Sequence, residues 1–99
     1  MPSKTIHFSS ARQLCQLYAN DEQLLEKVER SLSVSLISRD NWLQIDGSPE
    51  SIANVIEVFE LLETARAQGL RIRGSDFQYT LRCVCEGSAD ELREIHRNP

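Results

Sequence analysis

The sequence predicts a small α+β domain, in which a three-stranded sheet carries its helices on one face. Apolar residues recur at helical spacing over residues 24–32 and 52–62, and two short segments of alternating polarity lie between these helices. An Asp40-Asn41 pair separates the two alternating segments and suits the tight turn of a hairpin. Each element has one apolar face, so two helices packed on one side of a small sheet bury all of these faces together.

The first half of the chain contains a strand, two helices and the hairpin. Residues 4–8 alternate in polarity, which predicts a strand, and a helix capped by a serine follows to about residue 18. Residues 19–22 interrupt the helical pattern, and a second helix runs from there to about residue 33. The hairpin strands are predicted over residues 34–38 and 42–46.

A long helix opens the second half of the chain. Ser48-Pro49-Glu50 is a strong helix start, because it combines a capping side chain, a rigid first position and an acid in the first turn. Gly69 is the expected left-handed stop. The predicted apolar stripe of this helix consists of Ile52, Val55, Ile56, Phe59 and Leu62.

Two more helices are expected after a short linker. The first begins at Ser75-Asp76, ends at Gly87 and has Phe77, Leu81, Val84 and Cys85 on one stripe. The second covers residues 89–96 and follows a capping-box spacing, but it has only two apolar residues to bury. A helix that begins so well and has so little to pack against suggests that the chain is the front part of a longer protein.

Composition excludes several classes of function. The chain is 40% hydrophobic and 26% charged, which is ordinary for a soluble globular protein. Its net charge of −4 counts against strong, unaided nucleic-acid binding, which usually depends on a basic surplus. No apolar run approaches the roughly 18 residues of a membrane span, and no secretory signal precedes the first strand. We therefore expect a cytoplasmic protein without membrane contact.

The sequence contains no constellation that indicates catalysis. It has neither a G-x-x-x-x-G-K-[ST] nor a G-x-G-x-x-G motif, and no nucleophile–base pair is suggested by spacing. Cys15, Cys83 and Cys85 are interpreted as reduced, small apolar residues. A metal site is not expected, because His7 and His96 lie near opposite ends of the chain and no C-x-x-C occurs. The chain itself is thus expected to be no enzyme and to hold no cofactor.

The element order β-α-α-β-β-α over residues 4–69 is that of a KH domain of the type I arrangement. Such a domain grips a single-stranded backbone with a G-x-x-G loop between its first two helices. The corresponding loop here, residues 19–22, reads Ala-Asn-Asp-Glu; it lacks glycine and places two carboxylates where phosphates would lie. The candidate nucleic-acid-binding residues are Ala19 and Asn20 in the loop and Lys27, Arg30 and Arg39 beside it.

Two segments give a narrower resemblance. Residues 17–29, Leu-Tyr-Ala-Asn-Asp-Glu-Gln-Leu-Leu-Glu-Lys-Val-Glu, and residues 38–47, Ser-Arg-Asp-Asn-Trp-Leu-Gln-Ile-Asp-Gly, resemble the region near the start of PhoH-like proteins. The similarity is colinear from about residue 5 to residue 84 and needs no gap. Three positions depart from the family pattern. Ala19 stands where the family loop tends to have glycine, Leu24 where the family tends to have asparagine, and Asp40 where the hairpin turn tends to have glycine.

The resemblance implies a KH-like domain over residues 1–74 and a helical extension over residues 75–99 that leads to a P-loop ATPase domain. PhoH-like proteins are bacterial and cytoplasmic, and are linked to phosphate starvation by name and to RNA metabolism by association. The expected partner is single-stranded RNA, and ATP and magnesium would be cofactors of the parent ATPase.

A second hypothesis makes the domain a protein-interaction or oligomerisation module that positions the ATPase ring. Its candidate partner-contact residues are Ile37 and Trp42, which are expected on the sheet face opposite Leu43 and Ile45. Trp42 either forms part of a contact surface or lies beneath the last helix of the chain.

Overall fold

The structure, a computed structural model, describes residues 2–87 and confirms the predicted α+β class with a three-stranded sheet. The elements of this range, in chain order, are β1 (Ser3–His7), α1 (Ala11–Leu17), α2 (Glu22–Leu32), β2 (Ser35–Arg39), β3 (Trp42–Asp46), α3 (Pro49–Ala67) and α4 (Gly74–Glu86). The helix predicted over residues 89–96 lies outside the described residues.

The sheet is antiparallel, with β3 between β1 and β2. Leu43 and Ile45 of β3 are fully buried, and the helices α2 and α3 pack against the sheet on this side. The alternate residues of each strand point to the opposite side, which we call the open face. It consists of Ser3, Thr5 and His7 on β1, Trp42, Gln44 and Asp46 on β3, and Ser35, Ile37 and Arg39 on β2.

The helix boundaries agree with the capping signals in the sequence. The Ser10 hydroxyl accepts a hydrogen bond from the backbone N–H of Gln13, and the Ser48 hydroxyl accepts one from Ser51. Gly69 ends α3 in the left-handed region, with a φ of 100°. The short α1 is followed after three residues by the helix start at Asp21, whose side chain caps α2.

The helix α3 buries more of its circumference than the predicted stripe. Val58 and Leu61 are as deeply buried as Phe59, whereas Ile56 is only half-buried. The reason is that α3 lies in the middle of the domain and contacts α1, α2, α4, β1 and β3. A helix with neighbours on several sides is apolar on several sides, so a single 3.6-residue stripe describes it poorly.

The helix α4 packs against α3 and α2 and shares their core. The Phe77 ring meets the Phe59 ring edge-on at a centroid distance of 6.0 Å, and Thr80 donates a hydrogen bond to the Asp76 carbonyl. The predicted stripe was wrong at its end, since Cys83 is buried and Cys85 is exposed. The buried side of α4 therefore consists of residues 77, 80, 81 and 84, which recur at three- or four-residue spacing, with Cys83 at its margin.

No helix among the described residues has the length and apolarity needed to cross a bilayer.

Candidate nucleic-acid interface

The turn between α1 and α2 has an unusual backbone. Ala19 and Asn20 are consecutive non-glycine residues in the left-handed region, with φ angles of 56° and 57°. The N–H groups of Ala19, Asn20 and Asp21 donate to the carbonyls of Gln16, Cys15 and Tyr18 at 3.2, 2.9 and 3.0 Å. These N–H groups are thus engaged within the turn, so a phosphate there would have to be bound by side chains.

One side of this turn is acidic. We call it the turn pocket, a concavity of about 500 Å³ lined by Cys15, Tyr18, Asn20, Asp21, Glu22 and Gln23. The Asp21 carboxylate is committed to capping α2, where it accepts from the Gln23 N–H at 3.0 Å. Burial, together with the Cys15 thiol 3.4 Å from its hydroxyl, raises the pKa of Tyr18. Two carboxylates and a neutral phenol make this pocket unfavourable for an anion.

The other side of the same turn is basic. A groove of about 960 Å³ runs between α1, the turn and the segment that connects α3 to α4. Arg12 contributes from α1, Arg66 from the last turn of α3, and Arg71 and Arg73 from the connecting segment. We call it the arginine groove; its other lining residues are Ala11, Cys15, Gln16, Ala19, Asn20, Gly69, Leu70, Ile72 and Gly74.

Among residues 2–87, no carboxylate lines the arginine groove, although two of its arginines are paired with carboxylates outside the lining. Arg66 donates two hydrogen bonds to Glu63, at 2.8 and 2.7 Å, and this bond lowers the pKa of the Glu63 carboxyl. Arg73 lies 3.6 Å from the Asp76 carboxylate. Arg12 and Arg71 form no ion pair within residues 2–87 and provide the groove with its unbalanced positive charge.

The predicted nucleic-acid-binding residues are divided between this groove and other surfaces. Ala19 and Asn20 line it. Lys27 lies on α2 and donates to the Gln78 amide of α4 at 3.0 Å, and Arg30 lies 3.9 Å from the Glu26 carboxylate on the solvent side of α2. Arg39 lies at the end of β2 on the open face. The structure thus brings the loop residues together with four other arginines, and places the three predicted cations elsewhere.

Sequence reasoning missed the arginines because they come from segments far apart in the chain. Arg12 belongs to the first helix, whereas Arg66, Arg71 and Arg73 lie more than fifty residues later. The available signal was the close spacing of Arg66, Arg71 and Arg73 around the glycine stop. Arg66 was expected in the last turn of the long helix, and the segment with Arg71 and Arg73 was interpreted only as a linker. A cluster of cations at a helix C-terminus also has a purely structural use, since it offsets the negative end of the helix dipole.

The predicted partner-contact residues lie on the open face. Ile37 is 46% exposed, and Trp42 is half-buried between the two neighbouring strands. The described helices α2 and α3 pack on the opposite side of the sheet. The alternative in which the last helix of the chain covers Trp42 concerns residues 89–96, which lie outside the described residues.

No group of three or more histidine, cysteine or acidic side chains within residues 2–87 is placed to hold a metal ion. Comparison of the chain with protein-family models, with curated proteins and with solved structures finds no match in any of the three.

Proposed function

We propose that this chain is a KH-like domain that binds single-stranded RNA through the arginine groove, as an accessory domain of a PhoH-like P-loop ATPase. The observation that carries the RNA-binding part is the groove itself. Four arginines from three separate segments line a concavity to which no carboxylate of residues 2–87 contributes, in a chain whose net charge is −4. Local concentration of positive charge against an acidic background favours a specific anionic ligand over general attraction to polyanions.

Two features support the KH-like part of the proposal. The described elements from β1 to α3 follow the order β-α-α-β-β-α. The two positions where the PhoH-like pattern tends to have glycine, Ala19 and Asp40, both adopt the left-handed region, with φ angles of 56° and 47°. Glycine is the residue that occupies this region without strain, so the family pattern and the backbone agree at both turns.

The arginines suit a phosphodiester backbone better than an isolated charge. The planar guanidinium offers paired N–H donors that match phosphate oxygens, and Arg12 and Arg71 keep these donors free of ion pairs within the described residues. Gln16 and Asn20 add amide groups to the same lining and could hydrogen-bond to exposed base edges. Binding of two or three phosphates would give a salt slope of about −2, at about −0.7 per phosphate on a single strand.

The test is a titration of a fluorescent ten-nucleotide RNA with the protein, followed by anisotropy at several salt concentrations. The double variant R71A/R73A should bind roughly tenfold more weakly, with a salt slope reduced by about 1.4 units, because two phosphate contacts are lost. The matched control is K27A/R30A, which removes the same charge from α2, outside the groove, and should bind within about threefold of the wild type.

Two results would contradict the RNA-binding proposal. The first is the absence of binding by the wild type at low salt. The second is an equal loss in both double variants, because this would show attraction that depends only on total charge. The PhoH-like part has its own test in the coding sequence downstream of residue 99. A G-x-x-x-x-G-K-[ST] motif there, which would bind ATP and magnesium, is expected, and a stop codon directly after Pro99 would contradict it.

A further inference from the structure

A row of three side chains crosses the open face at one end of the sheet. His7 and Arg39 are the direct partners of Trp42 on its two sides in the antiparallel register. Directly opposite side chains in such a sheet have Cβ atoms about 4.5–5.5 Å apart, so the indole has an imidazole and a guanidinium as immediate neighbours. This places a flat aromatic ring between two groups that can carry positive charge.

The remaining side chains make a protein interface a poor fit for this face. Of its nine residues, only Ile37 and Trp42 are apolar, and the others are polar or charged. The centre of a stable protein interface normally contains a larger apolar cluster. A single nucleobase needs less, since one aromatic ring and an adjacent cation already provide a stacking platform.

We infer that Trp42 stacks on a base of the single-stranded RNA whose phosphates occupy the arginine groove; this inference rests on the proposed function. The Arg39 guanidinium and the His7 imidazole flank the stacked base. Asp46 lies at the other end of β3, about 13 Å along the strand, whereas Asp40 lies in the adjoining turn. With Asp40 close by, the row suits a base better than a phosphate.

The two contact areas are close enough for one short strand. His7 ends β1 and Arg12 lies in the first turn of α1, five residues later. Five residues span at most about 18 Å even when fully extended, which limits the distance between the Cα atoms of His7 in the stacking row and Arg12, the groove arginine that follows it most closely in sequence. An RNA of several nucleotides could therefore place phosphates in the groove and a base on Trp42 at the same time.

The experiment uses Trp42 itself as the probe, since it is the only tryptophan of the chain. A ten-nucleotide single-stranded RNA is titrated into the protein while tryptophan fluorescence and the anisotropy of the labelled RNA are recorded. Stacking should quench the fluorescence in parallel with binding. The variant W42L should bind about tenfold more weakly, the effect of losing one stacked base, while W42F should stay within about threefold of the wild type.

Three controls separate stacking from a general effect of RNA binding or of misfolding on the signal. An abasic oligomer of the same length carries the same phosphates without bases, and it should bind without quenching. The variant Y79L removes an exposed aromatic side chain from α4, far from the sheet in sequence, and should leave RNA binding unchanged. Circular dichroism and thermal unfolding of W42L and W42F establish that both variants remain folded.

The outcomes distinguish this inference from the function on which it rests. Absence of RNA binding overturns both. Binding that R71A/R73A weakens, with unchanged Trp42 fluorescence and full affinity of W42L, overturns the stacking inference and leaves the proposed function in place. Equal quenching by the abasic oligomer also overturns stacking. Fluorescence and sedimentation that change with protein concentration, in the absence of RNA, would assign this face to a second copy of the chain instead.

Discussion

The two sides of the α1–α2 turn share Cys15 and Asn20 but carry opposite charge. The turn pocket contains Asp21 and Glu22, whereas the described lining of the arginine groove contains four arginines and no carboxylate. The difference follows from which helix ends meet on each side. The turn pocket surrounds the N-terminus of α2, where acids cap free N–H groups, and the groove surrounds the C-terminus of α3, where cations are favoured.

This comparison shows that capping requirements can determine which side of a turn is acidic and which side is basic. In a domain with a glycine-rich turn, the N-terminus of the second helix is open to a phosphate. Here, the Asp21 carboxylate already occupies that position, so the helix end is satisfied from within the chain. The cations on the other side, by contrast, include Arg12 and Arg71, which form no ion pair within residues 2–87.

The largest change in RNA affinity is expected from reversing the charge of the arginine groove. The double variant R12E/R71E should lose RNA affinity by at least about 100-fold, because two attractive charges become repulsive. Neutralising the acidic side with D21N/E22Q should raise affinity by no more than about threefold, since the RNA does not enter the turn pocket. Anisotropy titrations at one fixed salt concentration measure both. A loss of affinity in D21N/E22Q would place the ligand in the turn pocket and contradict the assignment of the RNA to the arginine groove.

The role of Asp21 as a cap can be separated from its charge. D21A should lower the free energy of unfolding by about 1 kcal/mol, because the Gln23 N–H loses its acceptor. D21N keeps a capping oxygen and should cost only a few tenths of a kcal/mol. Chemical denaturation of the three proteins provides the values. Equal destabilisation by both variants would mean that the carboxylate charge, rather than the hydrogen bond, stabilises this helix start.

Structural features that depend on a few consecutive residues could be predicted from the sequence. A serine before the first helix and Ser48 before the long helix were expected as caps, and Ser10 and Ser48 fill these roles; Gly69 ends α3 as predicted. The Asp40-Asn41 turn was expected from residues that tolerate positive φ, and Asp40 has a φ of 47°. Each of these features depends on a few consecutive residues, so no knowledge of the tertiary packing was needed.

Features that depend on packing between distant segments were not predictable in the same way. The stripe predicted for α3 omitted Val58 and Leu61, because nothing local shows that this helix has neighbours on several sides. The arginine groove was not predicted for the same reason, because Arg12 and Arg71 line the same groove only when α1 packs on α3. The predicted cations were chosen because they could flank the groove of a KH domain, whereas the structure places Lys27 and Arg30 on α2, outside the lining of the arginine groove.

Backbone strain at the α1–α2 turn should have a smaller effect on the free energy of unfolding, and this effect should differ between Ala19 and Asn20. A19G should raise the free energy of unfolding by about 0.5–1 kcal/mol, because alanine at a φ of 56° is strained and glycine is not. N20G should gain less, as asparagine tolerates this region better than alanine. Thermal unfolding of both variants gives the comparison. A destabilised A19G would show that glycine's greater freedom in the unfolded chain outweighs the strain relieved.

The smallest expected effect on RNA affinity concerns Arg66, the groove arginine that forms a bidentate ion pair with Glu63. Arg66 holds the pKa of Glu63 below its usual value of 4.5 through two hydrogen bonds, so the charged carboxylate is favoured in the folded protein. A carboxyl with a lowered folded pKa adds stability above its unfolded pKa and loses it as the pH falls through the folded value. E63Q should therefore cost about 0.5 kcal/mol at pH 7, and its unfolding free energy should converge with that of the wild type as the pH falls through the lowered pKa of folded Glu63. Because the substitution also removes the charge that neutralises Arg66, RNA affinity should rise about twofold, which distinguishes this variant from one that merely loosens α3. A stability difference that persists unchanged into acid would show that packing, rather than the ion pair, is what Glu63 contributes.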